Sequence, residues 1–234
     1  MMIKLKIQNL LAVFLLTGIS ALVGCASSQT TELASREQYS GFLSNYDELK
    51  KTTAKNGQEF LSWASTDATS GKYTSIYPQD IMFYPKLTPQ QLAGRDTLLQ
   101  IGDYFGEAVK RELGAAGVLA NAPGPGVAEV QLAITGVYIA DEGVKAYEVL
   151  PVTAVIGLGE AAMGARDQVV QLVVEGKATD SQTGKLVASA VYKGVGKDLP
   201  NDKTQLTLDD VKPVLDTWAK NMAARTQELL GKKS

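Results

Sequence analysis

Residues 169–193 constrain the fold more than any other stretch of the chain. Val170, Leu172 and Val174 fall on one side of a run from Val169 to Thr179, the period-two spacing of a strand with one buried face. The polar hexapeptide DSQTGK, Asp180 to Lys185, follows. It reads as a turn, with Gly184 placed where a positive φ is needed. Leu186 to Lys193 then returns as the partner strand. A hairpin of this kind commits the chain to an antiparallel sheet, and its apolar face needs a second layer to cover it.

The flanking segments supply that layer. Tyr73 to Tyr84, YTSIYPQDIMFY, is aromatic and β-branched and suits a strand. Pro78 within it demands an edge or a bulge. Thr88, Pro89 and Gln91 form a helix-start pattern. Leu98, Ile101, Phe105, Val109 and Leu113 then recur at helical spacing, and Gly114 and Gly117 end the run. APGPG, Ala122 to Gly126, is a turn into a strand with Val130, Leu132 and Ile134 on one face. Leu208, Val211, Leu215, Trp218, Met222 and Leu229 mark a C-terminal helix. Pro213 places its start late, with Asp209 or Asp210 as the cap. The order is β-α-β, an ambiguous middle, then β-β-α. It predicts an α+β fold: one compact domain, mostly antiparallel sheet with helices packed on one side. At 234 residues the chain can bury such a core without disulfides or metals.

The N-terminus carries a different message. Lys4 and Lys6 precede an apolar run from Leu10 to Val23, and no further charge occurs before Glu32. A positive head, a short apolar run and small residues at its end describe a secretory signal peptide. The run is too short for a comfortable membrane span, which needs about 20 apolar residues. It ends in LVGC, Leu22 to Cys25, which contains the chain's only cysteine. LVGC resembles the bacterial lipobox. The resemblance implies cleavage between Gly24 and Cys25 and acylation of the Cys25 thiol, with palmitate among the expected chains. Each buried CH₂ contributes about 0.8 kcal/mol, so two or three acyl chains make a lasting anchor. Ala26 occupies the position where an aspartate tends to hold Gram-negative lipoproteins at the inner membrane; the expectation is therefore the outer membrane, facing the periplasm. Residues 1–24 are thus read as the signal peptide and 25–40, rich in Ser, Thr and Gln, as a lipidated tether. A coil of that length reaches roughly 20 Å. Residues 41–234 form the single periplasmic domain.

Composition narrows the chemistry. There is no histidine, which removes Ser-His-Asp and Cys-His nucleophile pairs and imidazole-bound zinc. One cysteine permits no intramolecular disulfide and no thiolate cluster. The formal charge of −2 offers no basic field for nucleic acid. Asp141-Glu142 reads as a solvated turn, and Asp209-Asp210 as helix-start charge. VTAVIGLGEAAMGA, Val152 to Ala165, satisfies G-x-G-x-x-A, but too few residues follow before the next strand for the crossover helix a dinucleotide site requires. Its alternatives are a buried core segment or an apolar contact surface, with Val152, Ile156 and Leu158 as candidate partner-contact residues. Trp218 belongs to the core; Trp63 is either a strand residue or a surface anchor. No cofactor and no metal site is expected.

SGFLSNY from Ser40 to Tyr46, the early strand ending YP, the PGPG turn, the DSQTG hairpin and Trp218-Ala219 occur in this order. Together they resemble an uncharacterised family of bacterial lipoproteins, domain of unknown function 3313. The resemblance implies an outer-membrane lipoprotein with a compact α+β domain similar to the N-terminal domain of TolB. It carries no activity, ligand or catalytic residue. The leading expectation is a non-catalytic module of the cell envelope that meets an envelope protein or peptidoglycan and the membrane through its anchor, but no nucleic acid. The alternatives are a carboxylate-dependent hydrolase acting on envelope glycans, and a carrier of a small hydrophobic ligand, which would need an apolar cavity between sheet and helices.

Overall fold

A computed structural model describes residues 33–86, 95–141, 168–200 and 204–232. Seven strands form one sheet: β1 (Lys50–Thr53), β2 (Glu59–Ala64), β3 (Ser75–Pro78), β4 (Met82–Phe83), β5 (Val127–Asp141), β6 (Gln168–Asp180) and β7 (Leu186–Val195). Their order is β1-β2-β7-β6-β5-β3, with β4 also on β5. All pairings are antiparallel except those of β3 and β4 with β5. A short helix α1 (Thr66–Thr69) follows β2, and two long helices, α2 (Arg95–Ala115) and α3 (Leu208–Leu229), pack together on one sheet face. This is the expected α+β arrangement, with both long helices on the same side.

The 169–193 hairpin forms as read. β6 and β7 pair across a turn in which Gly184 has φ 70°. Val170, Leu172 and Val174 are fully buried against the helices. The 73–84 segment divides into β3 and β4, and Pro78, which has no amide hydrogen to donate, closes the edge strand β3. In α2 the five periodic residues, Leu98 to Leu113, are all buried. Gly117, at φ 66°, lets the Val118 amide return to the Leu113 carbonyl at 3.0 Å and stops the helix. The Thr88, Pro89, Gln91 pattern lies outside the described residues.

Two details differ from expectation. The cap of α3 is Thr207, not Asp209 or Asp210. Asp210 instead closes the box from inside the helix, its carboxylate accepting the Thr207 amide at 2.8 Å and hydroxyl at 2.6 Å. Pro213 therefore stands in the second turn and denies the Asp209 carbonyl its helical donor. Beside it, the Asp210 carbonyl accepts the Lys197 amide at 2.7 Å from the chain leaving β7. Secondly, residues 33–40, assigned to the tether, carry buried side chains at Ala34 and Gln38.

β1 and β2 form a hairpin that the periodicity did not reveal. Its turn runs from Ala54 through Asn56 to Gly57, whose amide donates to the Ala54 carbonyl at 2.9 Å, with Gly57 at φ 85°. Asn-Gly is a strong hairpin signal, but the flanking KKTT carries no apolar alternation to draw attention to it. Trp63 is a residue of β2, opposite Ser189 of β7.

A β-bulge between Ile134 and Gly136 changes which face β5 shows to the helices. Before it, Leu132 and Ile134 face α2 and α3; after it Val137 does, and Tyr138 turns to the opposite face. A Cβ on Gly136 would lie 2.3 Å from the Tyr138 ring, so only glycine fits the bend.

Candidate functional site

The back face of the sheet, away from the helices, is covered by residues 34–49. Ala34, Phe42 and Leu43 bury against Ala133, Tyr138, Val173 and Val191. At the centre lies Glu175 of β6, fully buried. Its carboxylate accepts the Ser40 amide at 2.9 Å and the Tyr46 hydroxyl at 2.6 Å. The Tyr46 oxygen in turn accepts the Gly41 and Leu43 amides at 2.9 and 3.2 Å. Tyr39 stacks on Tyr46 with ring centroids 4.3 Å apart. Gly41 adopts φ 85°, a conformation that glycine takes without strain. SGFLSNY is thus a clasp closed on a buried carboxylate. Glu175 looks from sequence like any polar residue alternating in a strand; only the SGFLSNY pattern hints that something docks there.

Several other acids also have structural partners. Asp180 accepts the Gln182 and Thr183 amides at 3.1 and 2.9 Å, the Tyr73 hydroxyl at 2.9 Å and the Lys72 ammonium at 2.9 Å. The lysine first, then these donors, hold its carboxyl well below the usual carboxylate range. Lys72 is pushed up to about 12 by the same contact. Asp180 therefore ties the DSQTGK turn to the start of β3. Glu129 accepts Gln79 Nε2, and Asp216 accepts Tyr104 at 2.8 Å and Arg111 at 3.1 Å. Asp141 ends β5, and Glu142 lies outside the described residues. Among the described residues no group of three or more His, Cys, Asp and Glu is placed to hold a metal.

The feature with binding geometry lies on the helix side. A chamber of about 110 Å³ opens between the sheet and the C-terminal halves of α2 and α3. Its floor follows from strand register. Ser62, Ala190 and Gly176 form one cross-strand row on β2, β7 and β6, and Ala64, Ala188 and Ala178 form the next. Over Gly176 the space is taken by Leu132, whose Cδ2 would lie 2.7 Å from an added Cβ; the alanines and Ser62 leave space that larger side chains would fill. Val109 and Leu113 of α2 and Met222 and Leu229 of α3 line the walls. At one end the floor meets Phe60 and Tyr192, stacked at 4.5 Å. Burial holds the Tyr192 phenol well above its ordinary pKa, an effect that the Arg225 charge opposes. Arg225 also lines the chamber. Its Nη1 donates to Glu228 at 3.1 Å, while its Nε is buried without a hydrogen-bond partner. No carboxylate lines the chamber.

Gly24 and Cys25, the residues of cleavage and lipidation, and Val152, Ile156 and Leu158, the candidate contact residues, lie outside the described residues. Trp218 is in the core, fully buried. Among the described residues no helix is long and apolar enough to cross a membrane.

A mostly antiparallel sheet with two long helices on one face and a clasped N-terminal segment on the other makes this an α+β domain. The chain belongs to the family described as Protein of unknown function (DUF3313), which it matches over residues 38–222. It is 36% identical over 204 residues to an uncharacterized lipoprotein, YdcL, of Escherichia coli K12, covering 87% of this chain and 90% of that one. Among solved structures it is similar to a minor lipoprotein from Acinetobacter baumannii, at 12% identity and a TM-score of 0.36 over 67% of this chain and 92% of that one. It is also similar to the PelC dodecamer from Paraburkholderia phytofirmans, at 12% identity and a TM-score of 0.34 over 80% and 98%.

Proposed function

We propose that this protein is a lipoprotein of the outer membrane, held by acyl chains on Cys25, whose domain works in the periplasm as a binding module rather than an enzyme. The carrying observation is LVGC: the chain's one thiol stands at the end of a 14-residue apolar run behind Lys4 and Lys6. The kinship with an uncharacterized lipoprotein at 36% identity supports it. Ala26, rather than aspartate, after the cysteine favours the outer membrane. For the non-catalytic role, the support is chemical. The chain has no histidine, and Glu175, Asp180 and Asp210 are each spent on a clasp, a turn or a cap. Hydrolysis of a glycosidic bond needs two acids facing one cleft, and the chamber is lined by none.

Growth with a palmitate analogue tests the anchor. The wild-type protein should take up label and sediment with outer membranes. Cys25→Ala should lose the label entirely and keep its leader. Label retained in Cys25→Ala would remove the basis of the proposal.

The charge-free run around Val152, Ile156 and Leu158 is our candidate contact with an envelope protein or peptidoglycan. Amide exchange in the purified acylated protein should be fast there and slow when the partner is bound. Strong protection throughout the run in the protein alone would assign it to the core instead.

A further inference from the structure

We infer that the chamber between the sheet and helices α2 and α3 binds the aliphatic tail of a small monocarboxylate, with Arg225 receiving the head group. The inference deepens the binding-module reading by naming a ligand class; it does not depend on how the chain is anchored.

The floor dictates an apolar tail. Ala64, Ala188 and Ala178 run across three strands, with Ser62 and Ala190 in the adjoining row, and the helices above contribute aliphatic side chains. Volume sets the length. An apolar cavity of about 150 Å³ accepts benzene. On that scale about 110 Å³ holds a tail of about four or five carbons.

Charge sets the head group. Arg225 offers N–H donors in a rigid fork. Glu228 engages Nη1 at 3.1 Å, and the Arg225 side chain, 35% exposed, borders the chamber. A carboxylate at the chamber's edge pairs with the guanidinium N–H donors that Glu228 leaves, in the geometry arginine favours. No carboxylate is among the residues lining the chamber. A cationic head would meet like charge, and a neutral alcohol would supply a weaker acceptor. An amphiphile of about five or six carbons in total, ending in a carboxylate, satisfies both the floor and the rim.

The test is isothermal titration of linear carboxylates, acetate to octanoate, into the acylated full chain in lipid nanodiscs, with bare nanodiscs as the blank. Saturable one-to-one binding is expected. Affinity should rise roughly fourfold per methylene and stop rising near hexanoate, where the chamber is full. Hexylamine should bind at least about tenfold more weakly than hexanoate. Ala190→Leu, which fills the floor, should weaken hexanoate by about tenfold or more; Ala188→Leu provides the same test should the first variant fold poorly. Arg225→Gln should remove the preference for hexanoate over hexylamine. The inference is overturned by the lack of saturable heat above the blank, by affinity indifferent to chain length, or by hexanoate binding unchanged in both floor variants. Any of these would leave the palmitate labelling of Cys25 unaffected, so the anchor and the ligand stand or fall separately.

Discussion

Glu175→Ala lowers the stability of the domain by about 3 kcal/mol and loosens the 34–49 segment from the back of the sheet. The magnitude follows from leaving two donors unsatisfied, each at a cost of about 1–3 kcal/mol. Ser40 N donates at 2.9 Å and Tyr46 Oη at 2.6 Å, both to a side chain with no solvent exposure. Alanine leaves those donors in the cover of the sheet without a partner. The loss propagates along the clasp, because the Tyr46 oxygen that Glu175 positions also receives the Gly41 and Leu43 amides. Amide exchange should accelerate at Ser40, Gly41 and Leu43, while the amides of β6 and β7 stay protected. Glu175→Gln keeps an acceptor and should fall between the two. Urea unfolding together with exchange mass spectrometry makes the measurement. Unchanged protection of residues 40–43 in Glu175→Ala would mean that apolar contacts alone hold the clasp.

The second large effect lies across the sheet. Trp218 on α3 is fully buried. Its ring meets Phe105 of α2 edge-on at 6.2 Å and lies 6.1 Å from Tyr192 of β7. A Cβ on Gly194 would stand 2.7 Å from that ring, so the backbone of β7 comes as close to the indole as glycine permits. Trp218→Ala removes the group that unites both helices with the sheet, and should cost about 3–5 kcal/mol. For a domain of this size that lowers the midpoint of thermal unfolding by roughly 10 °C. A fall of only one or two degrees would place the ring outside the core.

Both residues sit in elements that local pattern could find, yet only one is legible there. Trp218 falls in register with Leu215, Val211 and Met222, and a helix with that stripe buries the indole whatever the rest of the chain does. Glu175 follows Gln171 and Val173 on the face opposite Leu172 and Val174, where a carboxylate ordinarily marks the wet side. It is buried because a segment 129 residues earlier in the chain lies over it. Nothing near position 175 records that. The Thr207 cap was misread for a smaller reason. Asp209 and Asp210 are both good caps, but the helix begins after Thr207, and Asp210 reaches back three residues to accept its amide.

Spacing along the chain was enough to settle the β6–β7 hairpin and the buried stripes of α2 and α3, and it narrowed β3 to an edge or a bulged strand. Each rests on neighbours a few residues apart, where periodicity and turn chemistry are direct physical constraints. The insertion of β7 between β2 and β6, the change of face at Gly136, the covering of Glu175 and the chamber under α2 and α3 came from pairing at long range. Small residues at 62 and 64, 176 and 178, and 188 and 190 look unremarkable in their own strands. They become a floor because three strands bring them into adjacent rows, and that register is set by the folded sheet as a whole, not by any one segment.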